Sequence, residues 1–342
     1  MDPRVRYSIH NFMVKHRMLL QAYKYFHNYS IRGYEEEMER RKGVSLFDYK
    51  ELIKPVNKPW MDFVPDNNKY GMNYVLKDYM GIPINHSIDG IIEHGLYLGD
   101  YVDKDEFLLN VKDVITFGDS RIRHLKEKGI DKRIVPIGPY IHYAKRLLDD
   151  QAFNELKRKL GKVLLVFPSH SMAGGEWSEF NMKDLCDEIK RIGKSFDSVL
   201  ISLYYADMGK AEVYENCGFK VVTSGHENDA YFVPRQRTLI ELADYTMSNS
   251  VGTQIGYCVY LNKPHYIYKQ KVNQVKGFSS KMEDEQRTES VLQAEIQEIE
   301  SVFANYSDHI TQEQRELVDK YWGVNYIKSP EELKELLTFY NY

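Results

Sequence analysis

The chain has 342 residues, of which 43% are hydrophobic and 28% charged, with a formal charge of −4 and a pI near 6.3. That length accommodates two domains with separate cores, and the composition is that of a globular chain and not a disordered one. The acidic balance gives no support for nucleic-acid binding, no apolar run reaches the ~20 residues that span a bilayer, and three scattered cysteines (Cys186, Cys217, Cys258) argue against a zinc ribbon or a disulfide framework.

Met1–Arg17 is basic, is interrupted by His10, Asn11 and His16, and lacks a signal-peptide apolar core, so a cytoplasmic protein is expected. Tyr7–Asn28 sets Phe12, Met13, Leu19, Leu20, Tyr23 and Phe26 at nearly helical spacing among basic residues, and Glu35–Lys42 follows as a charged, solvated helix. The first reading of this segment is a helix covering one edge of the first domain. The second is a basic, aromatic helix in peripheral contact with the inner face of an anionic membrane. Tyrosine is abundant, 27 in all. Its flat apolar ring and polar tip suit sugars, bases or a membrane surface, but AT-rich coding gives the same excess, and little is drawn from it.

Lys54–Tyr79, rich in Pro, Asn and Asp, reads as loop with short elements. In Gly81–Asp100, Glu93 and His94 stand among Gly90, Gly95 and Gly99, which let backbone and substrate approach closely. His94 titrates near neutrality and suits a general base; a structural histidine beside a tight turn is the equal alternative. Asp103-Lys104-Asp105 matches a DxD metal motif but sits in a polar loop and is discounted. Asp113–Phe117 and Arg133–Ile137 read as strands around a basic helix, Arg121–Lys128, capped by Ser120 and ended by Gly129. Its cations read as solvated.

Lys145–Leu160 reads as a linking amphipathic helix, after which strands and helices alternate. Strands are expected at Val163–Phe167, Ser198–Leu203, Lys220–Thr223, Tyr245–Met247 and Tyr266–Tyr268. Helices are expected at Met182–Ile192, Met208–Asn216, Thr238–Ala243 and from Gly252-Thr253 to Asn262. Such alternation predicts a parallel, doubly wound sheet with ligands beyond the carboxyl ends of its strands. Three polar loops converge there: Ser169–Trp177, Ser224–Arg237 and Ser248–Gln254. At Ser248–Thr253 a strand hands over to a helix N-terminus, where free N–H groups favour an anion; a plain Ser cap is the other reading of those residues. Lys276–Asn305, Thr311–Tyr321 and Pro330–Leu337 read as closing helices, the last with a Ser329/Glu332 capping box.

The loops offer hydroxyls, imidazoles and amides, which suit a diphosphate and a ribose, and the chain has no P-loop and no GxGxxG. Glu93-His94-Gly95, Pro168-Ser169-His170-Ser171 and Ser248-Asn249-Ser250-Val251-Gly252-Thr253 through Asn262-Lys263-Pro264 resemble the motifs of GT-B glycosyltransferases, nearest in flavour to bacterial capsule and lipopolysaccharide enzymes. The resemblance spans Ile82 to Tyr268 and its motifs are short. It implies an α/β fold of two Rossmann-like domains facing a cleft: an acceptor-side domain at 1–145 with a helical 1–60 segment, a nucleotide-binding domain at 146–282, and helices at 283–342 packing back across both. It implies transfer of a sugar from a nucleoside-diphosphate or CMP sugar to a carbohydrate or glycolipid acceptor, without metal or other cofactor. His94, assisted by Glu93, would be the base. Ser169, His170, Ser171, His226, Glu227, Ser248, Asn249, Ser250, Gly252, Thr253 and Gln254 would bind the nucleotide. Family members often carry Glu where Gln254 stands, which weakens the expected ribose contact. A sugar-nucleotide epimerase and a non-catalytic binding protein of the same fold are the alternatives.

Overall fold

The computed structural model describes residues 3–102, 107–171, 176–276 and 288–338. The Asp103–Asp105 motif and the glycines of the 172–175 loop lie outside them. Two parallel sheets organise the chain. The first is small, three strands in the order β1 (Gly90–Ile92), β2 (Asp113–Thr116), β3 (Arg133–Pro136). The second contains β4 (Val163–Phe167), β6 (Ser198–Ser202), β7 (Lys220–Val222), β8 (Tyr245–Ser248) and β9 (His265–Ile267). A separate antiparallel ribbon joins β5 (Glu176–Phe180) to β10 (Val272–Lys276).

The second sheet runs β7-β6-β4-β8-β9, all parallel, so the order reverses beside β4. Reversal opens a crevice beyond the carboxyl ends of β4 and β8, where doubly wound sheets place their ligands. β4, Val-Leu-Leu-Val-Phe, is buried along its whole length because helices cover both faces of the sheet. The expected α/β class, with parallel Rossmann-like sheets, is the fold the chain adopts.

Several local expectations change. The N-terminal helix is two helices, Pro3–Lys15 and Arg17–Ser30, broken at His16. Val14 and Leu20 both enter one core cluster with Trp60, Phe63 and Ile91. Six residues apart, they would point about 120° apart on one straight helix, so the break is what turns both inward. Within the expected loop, Met72–Met80 is a helix, with Met72, Val75, Leu76 and Met80 turned to the core. β1 escaped notice because three residues carry no periodicity. Asn67 completes its edge, donating to the Gly90 carbonyl at 2.9 Å and accepting from the Ile92 N–H at 2.9 Å.

Ser120 does not cap its helix; that helix begins at Asp119 after Gly118, and the Ser120 hydroxyl donates to Glu295 at 2.8 Å. Nor is the basic helix simply solvated, since Arg121 and His124 are buried. Thr238–Ala243 grows into Phe232–Leu242. The tail follows its sequence more closely. Thr311 and Gln314 form a capping box ahead of Gln312–Trp322, and Ser329 and Glu332 exchange bonds of 2.8 and 3.2 Å before Pro330–Thr338.

The Gln312–Trp322 helix straps the two sheets together. The Trp322 ring, fully buried, lies where a Cβ on Gly256 would stand 2.2 Å away. One residue on, Gly323 turns left-handed and lies directly on Phe117-Gly118, beyond the end of β2. Only glycine tolerates both the backbone conformation and the approach.

Candidate functional site

The loops leaving β1, β4, β6, β7 and β8 at their carboxyl ends meet between the sheets. One crossing joins the Thr253 hydroxyl to the N–H of Leu96, which donates to it at 2.9 Å. Trp322 donates its indole N–H to the Thr253 carbonyl at 2.9 Å, so both ends of that residue are fixed. Elsewhere the walls are bridged by aromatic rings. Tyr70 stands 5.6 Å from His94, 4.8 Å from Phe232 and 6.5 Å from Tyr204, ring centre to ring centre. Tyr204 continues to His170 at 5.0 Å and to Tyr205 at 4.6 Å, and Tyr205 reaches His226 at 4.5 Å.

Tyr70 holds a left-handed backbone, φ 56°, which few residues other than glycine adopt. The conformation is fixed from both sides. Its N–H donates to the Glu227 carbonyl at 2.6 Å, and Gly71 beside it packs against Ala230. Strain of this kind, about 1–3 kcal/mol, persists only where the surroundings over-determine it and gathers at functional sites. Burial pushes the Tyr70 phenol up to about 12, so it remains a neutral hydrogen-bonding group.

His94 is half-buried and its ring makes no hydrogen bond to another described residue. Burial, aided by the charges of Lys69 and Lys58 and opposed by Asp66, lowers it to about 4. It is a neutral imidazole at pH 7, with an uncommitted ring facing the aromatic bridge. Lys58 and Lys69 flank Asp66 at 3.2 and 3.3 Å, so two cations and one carboxylate share this wall.

Glu93 is not beside His94 in the chemical sense. Adjacent residues at the end of a strand point to opposite sides. Its carboxylate is buried, takes two hydrogen bonds of 2.9 and 3.0 Å from Arg121 Nε and one of 2.7 Å from the Thr116 hydroxyl, and also pairs with Arg121 Nη2. Its observable work is to hold Arg121 within the first sheet.

The residues of the second sheet divide in the same way. Ser248 is fully buried, donating to the Ser250 carbonyl at 2.8 Å and lying 3.0 Å from His265 Nε2. Asn249 is buried at the switch point, its carbonyl accepting from the Ser169 N–H at 2.6 Å. The Ser169 hydroxyl accepts from Ser178 at 2.7 Å, and Ser171 binds Asp207 through its N–H at 2.6 Å and its hydroxyl at 2.7 Å. These four shape the loops and hold the walls. His170 is exposed and half-buried Ser250 has a hydroxyl that makes no hydrogen bond to another described residue. His226 is buried, which lowers its pKa, and it accepts from the Asn228 N–H at 3.1 Å; Glu227 beside it is half-buried. The Gln254 side chain folds over Gly252. Neither Ser248 nor Ser250 caps the following helix, Gln254–Tyr260, whose cap position is Thr253 with no side-chain bond. Among the described residues, no three of His, Cys, Asp and Glu are placed to hold a metal ion.

Tyr70, Tyr204, Tyr205, Lys58 and Lys69 were not singled out from the sequence. Tyr204 and Tyr205 directly follow β6, and the rule that drew attention to the ends of β4, β7 and β8 applies there equally. Tyr70 gave no signal, because its position depends on the turn at Gly71.

No protein-family model matches the sequence. No curated protein matches it either. Among solved structures, the chain is similar to S. aureus MnaA in a co-structure with UDP, at a TM-score of 0.37 and 11% identity over 76% of this chain and 71% of that one. It is also similar to UDP-GlcNAc 2-epimerases from Neisseria meningitidis (TM-score 0.32, 13% identity, 68% and 60% covered) and Methanocaldococcus jannaschii (0.34, 11%, 78% and 79%). Overlaps this loose carry no argument about what the chain binds or does.

Proposed function

We propose that this chain is an enzyme acting on a sugar nucleotide, and that it transfers the sugar to a carbohydrate or glycolipid acceptor. One observation carries the reading: a neutral imidazole with no hydrogen-bond partner among the described residues, His94, lies against Tyr70, whose ring reaches Tyr204 in the carboxyl-end loops of the doubly wound sheet. In this reading residues 1–145 form the acceptor side, residues 146–282 bind the nucleotide, and residues 283–342 tie the two together. The diphosphate lies along Ser250–Thr253 and His170, with Lys58 and Lys69 contributing positive charge from the facing wall. The rings of Tyr70, Tyr204 and Tyr205 offer flat faces to base or sugar. His226 and Glu227 stand where ribose or base contacts would fall, and the Gln254 amide supplies a weaker ribose contact than a carboxylate.

Chemically, His94 takes the proton of the acceptor hydroxyl as that oxygen attacks the anomeric carbon, and the nucleoside diphosphate leaves with the bonding electrons. Stabilising the charge that develops on the leaving group is the largest expected contribution, and here side chains and N–H groups supply it without a metal ion. A phosphate beside His94 raises its pKa toward neutrality, where a general base works best.

Epimerisation is the second reading. His226 and Glu227, titratable groups on the wall opposite His94, are what favours it, because removing and returning a proton at one carbon calls for groups on two sides. A panel of UDP-, CDP-, GDP- and CMP-sugars, assayed in EDTA with and without carbohydrate acceptors, separates the readings. Glycosylated product that requires acceptor supports transfer. An epimerised sugar formed without acceptor supports the second reading, and binding with no turnover of any donor overturns both.

A further inference from the structure

The N-terminal helix pair is amphipathic in the inverted sense. In Arg17–Ser30 the side turned to the protein carries Leu20, Lys24, His27 and Asn28, and three of those four are polar. They make a polar seam. The Lys24 ammonium, lowered to about 8 by burial, donates to the Met61 carbonyl at 3.2 Å and to Ser87 at 2.7 Å. Asn28 binds both the N–H and the carbonyl of Trp60, at 2.7 and 3.3 Å. The outward side is the apolar one, formed by Met18, Leu19, Tyr23, Tyr25, Phe26 and Tyr29, with Met18 88% and Phe26 70% exposed. The preceding helix continues it with Val5, Ile9 and Phe12, at helical spacing, and Leu108 lies beside that helix through the hydrogen bonds of Asn11. Of the twelve large apolar side chains exposed among the described residues, nine lie between residues 5 and 29. Scattered exposure needs no explanation, but a contiguous face of this kind marks an interaction surface.

Charge identifies the occupant. Residues 1–33 hold six Lys or Arg and a single carboxylate, Asp2, for a net +5, or +4 without the inward-turned Lys24, in a chain whose total is −4; the remainder therefore carries −9. Lys15 and Arg32 are exposed at the edges of the apolar face, and the Arg32 guanidinium lies 4.3 Å over the Tyr29 ring. A second copy of the chain would bring one basic face against another. An anionic lipid surface neutralises it, accepts the aromatic and aliphatic side chains at the headgroup boundary, and repels the acidic remainder, which sets the orientation. No helix among the described residues is long and apolar enough to cross a membrane, so the contact lies in the plane of the surface.

We propose that the two N-terminal helices dock this protein onto an anionic bilayer. The inference rests on the surface of these helices and stands whatever the cleft binds. It is tested by floating the full chain with vesicles of phosphatidylcholine alone and of phosphatidylcholine with phosphatidylglycerol. The chain is expected to float with the anionic vesicles, less so as salt is raised, and to stay behind with the neutral ones. The Met18→Glu, Phe26→Glu pair should weaken that partition about ten- to a hundredfold, the worth of one or two apolar side chains. Both positions are exposed, so the thermal midpoint should hold; were it to fall, the milder Met18→Ser, Phe26→Ser pair serves the same comparison. Absence from both vesicle types overturns the proposal, as does binding that the substitutions leave unchanged. So does a dimer in sedimentation that the same substitutions dissociate while vesicle binding is absent.

Discussion

His94 and Glu93 adjoin in sequence and separate in role. Replacing His94 by Ala removes an imidazole that makes no hydrogen bond to another described residue, so turnover should be abolished while the melting temperature changes little and nucleotide affinity holds. Steady-state rates beside calorimetric titration check this, and unchanged turnover would remove His94 from the chemistry. Glu93→Gln should do the opposite. It takes the Glu93 carboxylate away from the buried Arg121 guanidinium, and removing one partner of a buried pair costs about 3–5 kcal/mol. Denaturant unfolding reads that loss directly, and a variant as stable as the parent would show that the pair is dispensable.

Two imidazoles also set a pH dependence. Burial lowers His94 to about 4 and His265 to about 3, the latter held between Thr246 at 2.8 Å and Ser248 at 3.0 Å. Unfolded, each would titrate near 6.5. Below that pH the unfolded chain binds more protons than the folded one, so stability is full above about 6.5 and falls as pH drops toward 4. Urea midpoints should hold near pH 7.5 and decrease from about 6.5 down to 4.5. His265→Asn, which keeps a polar side chain in place, should flatten part of the slope, and an unaltered slope would count against that assignment.

At the scale of elements, the Gln312–Trp322 helix decides whether the cleft has a fixed width. Its indole touches Gly256 and bonds Thr253, and its terminal glycine rests on the end of β2. Gly256→Ala would press a methyl group into the indole, and overpacking of this sort typically costs about 1–3 kcal/mol. A lower melting temperature is expected, and no change would mean that the helix gives way without cost. The elements themselves were legible unevenly. β4 and Met182–Gly193 emerge because an apolar run or a strong helical period is a local property. β1 and Tyr70 do not, because a three-residue strand completed by Asn67 and a tyrosine forced left-handed exist only through distant partners. Motif residues were legible as a group and not one by one. Ser248, Asn249, Ser169 and Ser171 fall in the converging loops as their types suggested, yet the structure binds Asn249 to Ser169, Ser171 to Asp207, and Ser248 to Ser250 and His265. Burial made that difference, and residue type does not carry it.

For the whole molecule, two parallel sheets bring the loops from their carboxyl ends into contact, and one pair of helices carries an apolar, basic face outward. The alternation of strands and helices made the second sheet readable. In the first, β2 and β3 were readable and β1 was not, because three residues carry no period, and its helices are held by buried ion pairs that no periodicity reveals. The charge division was countable from the start, but which side of the N-terminal helices faced solvent was not.

The central claim, that the cleft holds a nucleoside diphosphate without a metal, is tested most directly by thermal stability in EDTA across UDP, CDP, GDP and the corresponding monophosphates. A ligand present at a hundred times its dissociation constant adds about 2.7 kcal/mol. A rise in melting temperature with at least one nucleotide, lost on removing the nucleotide by dialysis, is the result expected. No rise with any nucleotide in EDTA, or a rise that appears only when a divalent cation is restored, would contradict it.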